Sequence, residues 1–397
     1  MRIMALYAVW KRSCIICRDE EDKTEDRKVE TYNVWDYGIT TDAEDNSDNL
    51  QKLMDMLSAK NGGTIFFPIG TYRFRHSVWA RSYVNIQGEN KAGVILKMEG
   101  SVTETTGPFA LFFHHYPDDR EALLADPVVG CTYSDFTVDA TELQCDRYRT
   151  GNKAFYYQNC QDCTWRDLRL IGTPATALGV DCLVNCFITR IYCRDCGRVW
   201  EPGVRYGGAS IGIGAGLFDE ENVIISECIV EGSGHYGIFL EHQALFNKEV
   251  YLASPRGVLV TDCIVRNGRN HGIGARGMRN MKISSNMIYD NAGCGVYLDN
   301  QADCIDVSDN MIRENKEAAI RVHAGVHDTY SGTTGNMDHI TIRNNDLVGN
   351  TQNILLTGEE GKRIRDLFVK GNTTDGSGQL PGMDTCLASV ERLRCEE

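Results

Sequence analysis

Three carboxylates close similar short segments of the chain: Asp181 in Ala177-Leu-Gly-Val-Asp181, Glu241 in Gly237-Ile-Phe-Leu-Glu241 and Asp299 in Gly295-Val-Tyr-Leu-Asp299. Carboxyl groups repeated on a rigid frame can divide proton-transfer roles, one donating and one accepting. Gly272-Ile-Gly-Ala-Arg276 and Ala319-Ile-Arg-Val-His323 end the same way in Arg276 and His323. The guanidinium can bind hydroxyls or a carboxylate, or hold a neighbouring acid ionised, and the imidazole is a secondary candidate for carrying a proton.

These segments belong to a series of eight that also includes Ala154-Phe-Tyr-Tyr-Gln158, Ser210-Ile-Gly-Ile-Gly214 and Asn353-Ile-Leu-Leu-Thr357. Their fifth residues are separated by 23, 33, 27, 35, 23, 24 and 34 positions. A unit of about 23 residues stacked on itself, with the longer intervals carrying surface loops, makes an all-β solenoid coil. The second column, Phe155, Leu178, Ile211, Ile238, Ile273, Val296, Ile320 and Ile354, is apolar throughout, as is the fourth. Those side chains face inward, and strand alternation sends the third and fifth columns outward. A second strand follows each copy, as in Val223-Ile-Ile-Ser-Glu-Cys228. At the turn beyond it, Asn286, Asn310, Asn345 and Asn372 align as an amide ladder, with Cys228 and Cys263 on earlier rungs of the same column.

The two outward columns therefore define one groove. Its fifth column reads Gln158, Asp181, Gly214, Glu241, Arg276, Asp299, His323, Thr357, and its third includes Phe239, Tyr297 and Arg321. Long insertions flank it at residues 198–207, 244–256 and 325–337; the first contributes Trp200, Glu201 and Tyr206, and His242 stands at the root of the second. Glycines 179, 212, 214 and 274 leave room for a ring, and Phe239, Tyr297, Trp200 and Tyr206 offer stacking faces. The catalytic candidates are Glu241, Asp181 and Asp299. The binding candidates are Arg276, His323, Arg321, Gln158, Glu201, His242 and the four aromatics. Two rungs separate Asp181 from Glu241, and Glu241 from Asp299, about 9 to 10 Å. That overlaps the spacing at which one carboxylic acid protonates a glycosidic oxygen while the other activates water. The same charges could instead form a surface ion-pair ladder.

The 397 residues, 42% hydrophobic and 24% charged, are enough for a large core. A net charge of −14 with no long basic run disfavours nucleic acid and anionic membranes as partners. An oligo- or polysaccharide is the expected partner, the chain acting as a monomer or homo-oligomer, a trimer included. Sixteen cysteines without a recognisable export signal point to a reducing cytoplasm. Cys14/Cys17, Cys160/Cys163 and Cys193/Cys196 have zinc half-site spacing. The repeat accounts for most of them as stacked core residues, although adjacent rungs would also permit disulfides. No metal or other cofactor is expected.

Residues 1–30 read as an irregular lead-in, 31–397 as a single domain, 31–75 as its strand-helix-strand start, 154–375 as the best-defined coils and 376–397 as a C-terminal cap. Tyr32-Asn-Val-Trp-Asp-Tyr-Gly38, a helix near residues 48–60 and Asn61-Gly-Gly-Thr-Ile-Phe-Phe-Pro-Ile-Gly-Thr-Tyr72 together resemble the N-terminal segment of the pectate-lyase-like superfamily. The resemblance implies a right-handed parallel β-helix with an N-terminal capping helix and a carbohydrate ligand. Asn270-His-Gly-Ile-Gly274 is loosely similar to one polygalacturonase segment, while the paired aspartates and RIK segment of that family have no counterpart. Leu178-Gly-Val-Asp181 is similar to the strand end of alginate C5-epimerases; Asp181 matches their aspartate, and Leu183 stands where they carry a histidine. Glycosidic hydrolysis or transfer is the leading expectation, uronan lyase or C5-epimerase action the second, and a non-catalytic glycan-binding or spike-like protein the third.

Overall fold

The computed structural model describes residues 30–115, 119–204, 207–245, 247–326, 334–375, 382–383 and 386–396. Tyr206 and the pair Cys14/Cys17 lie outside them. Residues Thr31–Glu397 form one compact unit.

Each full coil contributes three strands to three parallel sheets. In one coil these are Leu178–Val184, Cys186–Thr189 and Tyr192–Arg194, followed by Ile211–Ala215 of the next. The sheet carrying the two outward columns, here the site sheet, has eleven strands; the long sheet has fourteen and the short sheet nine. The eight segments pair in the expected register, Gln158 to Asp181, Asp181 to Gly214, Gly214 to Glu241, Glu241 to Arg276 and on to Thr357. Their second- and fourth-column residues are buried from end to end. Like stacked on like removes apolar surface continuously along the coil axis, and no rung could bury its inner face alone.

The short sheet and the coils before Ala154 were not legible in the sequence. Strands such as Tyr192–Arg194 and Thr132–Ser134 are three residues long, too short to display alternation. Helix Ser47–Ala59 closes the N-terminal end, burying Leu50, Leu53, Met54 and Leu57. The C-terminal end, expected to be irregular, instead adds Ser389–Glu391 and Arg394–Glu396 to the long sheet. Charged Glu391, Arg392, Arg394 and Glu396 mark that last edge, which discourages a further strand from pairing on it.

The amide ladder is present. Asn310 Nδ2 and its backbone N–H both donate to Asn345 Oδ1, at 2.9 and 3.0 Å, and Asn286 and Asn345 repeat the pattern with their next rungs. A second ladder, Asn291–Asn315–Asn350, runs at another turn. All the described cysteines are free, and Cys160, Cys163, Cys193 and Cys196 are core residues.

Candidate active site

Asp181 and Glu241 flank the bare rung Gly214 on the site sheet. A Cβ at Gly214 would collide with the Asp181 carboxylate and the Gln243 amide, so both lean over this glycine. Gly179, two residues before Asp181 on the same strand, is covered by Lys153, whose Nζ would lie 2.6 Å from an added Cβ. The Lys153 ammonium rests 3.8 Å from the centre of the Tyr156 ring. Burial draws its pKa down to about 8, against the opposing pull of Asp181 and Glu241. These groups line a cavity of about 520 Å³ with Gln158, Phe239 and His115. His115 packs 4.2 Å from Tyr156, and burial, then Lys153, brings its pKa down to about 4, so it is neutral at neutral pH. Gln158 donates to the Tyr251 hydroxyl at 3.3 Å, tying the cavity floor to the insertion at 244–256.

That insertion is anchored rather than loose. Tyr251 and Val250 join Leu123, Cys182 and Leu217 in a small second core. The Glu221 carboxylate accepts the Gly216 and Phe218 N–H groups at the turn after the Gly214 strand, and burial pushes its pKa up to about 8.

Asp181, Glu241, Gln158 and Phe239 thus share one cavity, whereas the other described candidates are not among its lining residues. Asp299 is bound by Arg276, Nη2 to Oδ2 at 2.8 Å and Nε to both oxygens at 3.0 and 3.1 Å. With side chains only 8% and 5% exposed, the pair is a buried ion pair; Asp299 is spent on Arg276, and Arg276 also packs over the Phe239 ring. Arg321 and His323 both bond the Thr357 hydroxyl, and Arg321 covers Tyr297. Trp200 stacks on His235 at 4.1 Å, which commits one of its faces, and Glu201 is exposed. The expectation that His242 binds a ligand is corrected: its Nε2 donates to the Ala253 carbonyl and its Nδ1 accepts the Ala244 N–H. Both nitrogens pin the insertion. Lys153, His115 and Gln243 were missed. Lys153 and Gln243 lie outside the two columns, and only the third dimension brings a lysine from before one strand over a glycine of the next; His115 continues the fifth column one rung before Gln158, upstream of the eight recognised copies.

The family model for rhamnogalacturonase A/epimerase, pectate lyase-like, matches residues 31–188, and that for the right-handed beta helix region matches 246–374. The fold is a right-handed parallel β-helix, pectate-lyase-like over residues 31–188. No curated protein sequence matches it. Among solved structures, this β-helix superposes on the mannuronan C-5 epimerase AlgE4 A-module of Azotobacter vinelandii with a TM-score of 0.55 at 14% identity, over 88% of this chain and 99% of that one. It superposes on a Thermotoga maritima exopolygalacturonase with a TM-score of 0.55 at 14% identity, covering 93% and 91%. The Streptococcus pneumoniae surface adhesin PfbA gives 0.58 at 16%, covering 87% and 90%. Such identities establish the shared fold.

Proposed function

We propose that this β-helix is an enzyme that cleaves a glycosidic bond of an oligo- or polysaccharide, with Glu241 as general acid and Asp181 as general base. The observation that carries the reading is the convergence of Asp181, Glu241 and Lys153 on one glycine-floored cavity. The Lys153 ammonium is within coulombic reach of both carboxylates, and the Gln243 amide stands beside Asp181 over Gly214. Glu241, two rungs away, is spaced for protonating the leaving oxygen while water attacks from the Asp181 side. The matched family and the exopolygalacturonase neighbour support a polysaccharide substrate. The free cysteines fit a reducing cytoplasmic setting.

A second reading, elimination or C5 epimerisation on a uronan, is favoured by Lys153 alone, since a pKa of about 8 lets it exchange a proton near neutrality. Incubation with a broad glycan panel separates the readings. New saturated reducing ends, absent with Glu241→Gln, support hydrolysis. Unsaturated ends absorbing in the ultraviolet, or epimerised residues without chain cleavage, support the second. Binding without turnover by the wild-type protein would leave a glycan-binding module and overturn both.

A further inference from the structure

We propose that Asp303, Cys304 and His339 form a binding site for a late first-row divalent cation, zinc being the natural occupant, on the outer surface of the long sheet and apart from the cavity. The residues come from neighbouring strands, Asp303–Ser308 and Met337–Arg343, with Asp303 paired to Asp338. Cys304 and His339 are the next residues on their strands and share a left-handed backbone, φ 55° and 52°, so the same local bulge recurs on both rungs. Candidate ligand atoms of all three residues lie within 4.8 Å of one another. Asp303 Oδ1 is 2.9 Å from His339 Nδ1 and 3.4 Å from Cys304 Sγ.

Tetrahedral zinc with ordinary Zn–N, Zn–O and Zn–S bonds sets N···O edges of about 3.4 Å and S···O edges of about 3.6 Å. The two edges that meet at Asp303 need only open by a few tenths of an ångström to admit the ion, and the Cys304–His339 edge lies within 4.8 Å. The cation would replace the proton shared by His339 Nδ1 and Asp303 Oδ1 and displace the thiol proton of Cys304. Cys304 and His339 are exposed, leaving the fourth position to water.

A second observation points the same way. His339 Nε2 lies 3.5 Å from Asp366 Oδ2, and Asp366 is held in turn by Arg392. A carboxylate behind the non-ligating nitrogen fixes the tautomer and orients the ring, the usual outer partner of a metal-bound histidine. The nearest cation on Asp303, Arg279, stands 4.0 Å from Oδ2, the oxygen the site does not use. Arg365 is also near, 3.6 Å from Asp366 and 2.7 Å from Asp338, and Arg363 is 3.8 Å from Asp338, so three aspartates together with the Cys304 thiolate offset the four local arginines. Another trio, His271, Cys294 and Glu317, fits less well: His271 Nδ1 already accepts the Cys294 N–H at 2.9 Å, and Arg321 lies 3.9 Å from Glu317.

The test uses reduced, metal-stripped full-length protein titrated with Co²⁺, followed by displacement with Zn²⁺. The expected result is one equivalent of cobalt with a thiolate charge-transfer band and tetrahedral visible absorption, both lost on adding zinc. Cys304→Ser should abolish the charge-transfer band. Cys304→Ser and His339→Gln should each weaken zinc binding more than the roughly 10- to 100-fold that loss of an outer partner costs, with circular dichroism unchanged. The double variant Cys14→Ser/Cys17→Ser, which removes a thiol pair at zinc half-site spacing, should bind as wild type. A wild-type protein that takes up no cobalt, a band that survives Cys304→Ser, or a band lost in the Cys14/Cys17 variant would overturn the proposal.

Discussion

The upstream and downstream halves of one outward column both carry charged and polar residues and end in opposite states. Upstream, Gln158, Asp181, Gly214 and Glu241 surround open space, and Lys153 reaches in from the side. Downstream, Arg276 and Asp299 close on each other while His323 shares the Thr357 hydroxyl with Arg321. The upstream half has third-column glycines at 179, under Lys153, and at 212, and the downstream half has one. The downstream one, Gly274, is filled: a Cβ there would meet the Tyr236 and Phe239 rings, themselves stacked at 4.4 Å. Charge therefore does not mark the site. What marks it is the open space over Gly214 between two acids, where the downstream half of the column is closed by an ion pair.

The comparison breaks most sharply through two substitutions. Glu241→Gln keeps shape and hydrogen bonding but cannot transfer the proton, and kcat should fall by about 10² to 10⁴ with unfolding midpoints unchanged. Asp299→Ala should do the reverse. It strands a buried guanidinium, a loss of about 3 to 5 kcal/mol in denaturant unfolding, while activity per folded molecule stays near wild type. The double variant Arg276→Met/Asp299→Leu should regain most of that stability, because no buried charge is then left unpaired. If Asp299→Ala kills activity and spares stability, the downstream half is part of the site and the contrast fails.

This contrast also marks how far the sequence could be read. The rung register was legible because inward residues such as Ile211, Ile238 and Ile273 repeat an apolar identity that only stacking requires. Asn286 through Asn372 were legible for a similar reason, since an amide at a turn is useful mainly to another amide one rung away. The outward columns identified Asp181, Glu241 and Asp299 as equals, and they are not. Which acid faces the cavity depends on side-chain reach across rungs, as when Arg276 turns towards Asp299, and on Lys153, which precedes its strand and belongs to no column.

A smaller effect sharpens the role of the gap. Gly214→Ala places a methyl group against the Asp181 carboxylate and the Gln243 amide, both ends of side chains that can swing away. Stability should therefore drop by about 1 kcal/mol, at the low end for an overpacked site. Displacing the base by about an ångström should cost up to roughly 100-fold in kcat/KM. Gly274→Ala meets packed rings instead of flexible ends, so its loss should appear first in thermal unfolding, at about 1 to 3 kcal/mol. Equal effects of the two alanines on activity would mean that the upstream space is not where substrate sits.

The mildest prediction concerns the shape of a pH profile. Lys153 has its folded-state pKa drawn down from 10.5 to about 8 by burial. Below pH 8 the folded and unfolded chains both hold this proton, and the cost of burying the charge is present in full. Between pH 8 and 10.5 the unfolded chain binds more protons than the folded one, so this group makes stability rise with pH across that window. Activity should move the other way, falling as pH passes 8, because the cavity loses the ammonium charge that faces Asp181 and Glu241 and can hold substrate oxygens there. Lys153→Arg retains a charge throughout this range, so the alkaline limb of kcat/KM should shift well above 8, with only a several-fold change at pH 7. Lys153→Met should flatten the alkaline rise in stability. Opposite slopes for activity and stability in the wild type, with the activity limb displaced by arginine, are the signature of a buried lysine working on the cavity. An alkaline activity limb that stays near 8 in Lys153→Arg would assign that titration to another group and leave Lys153 as packing over Gly179.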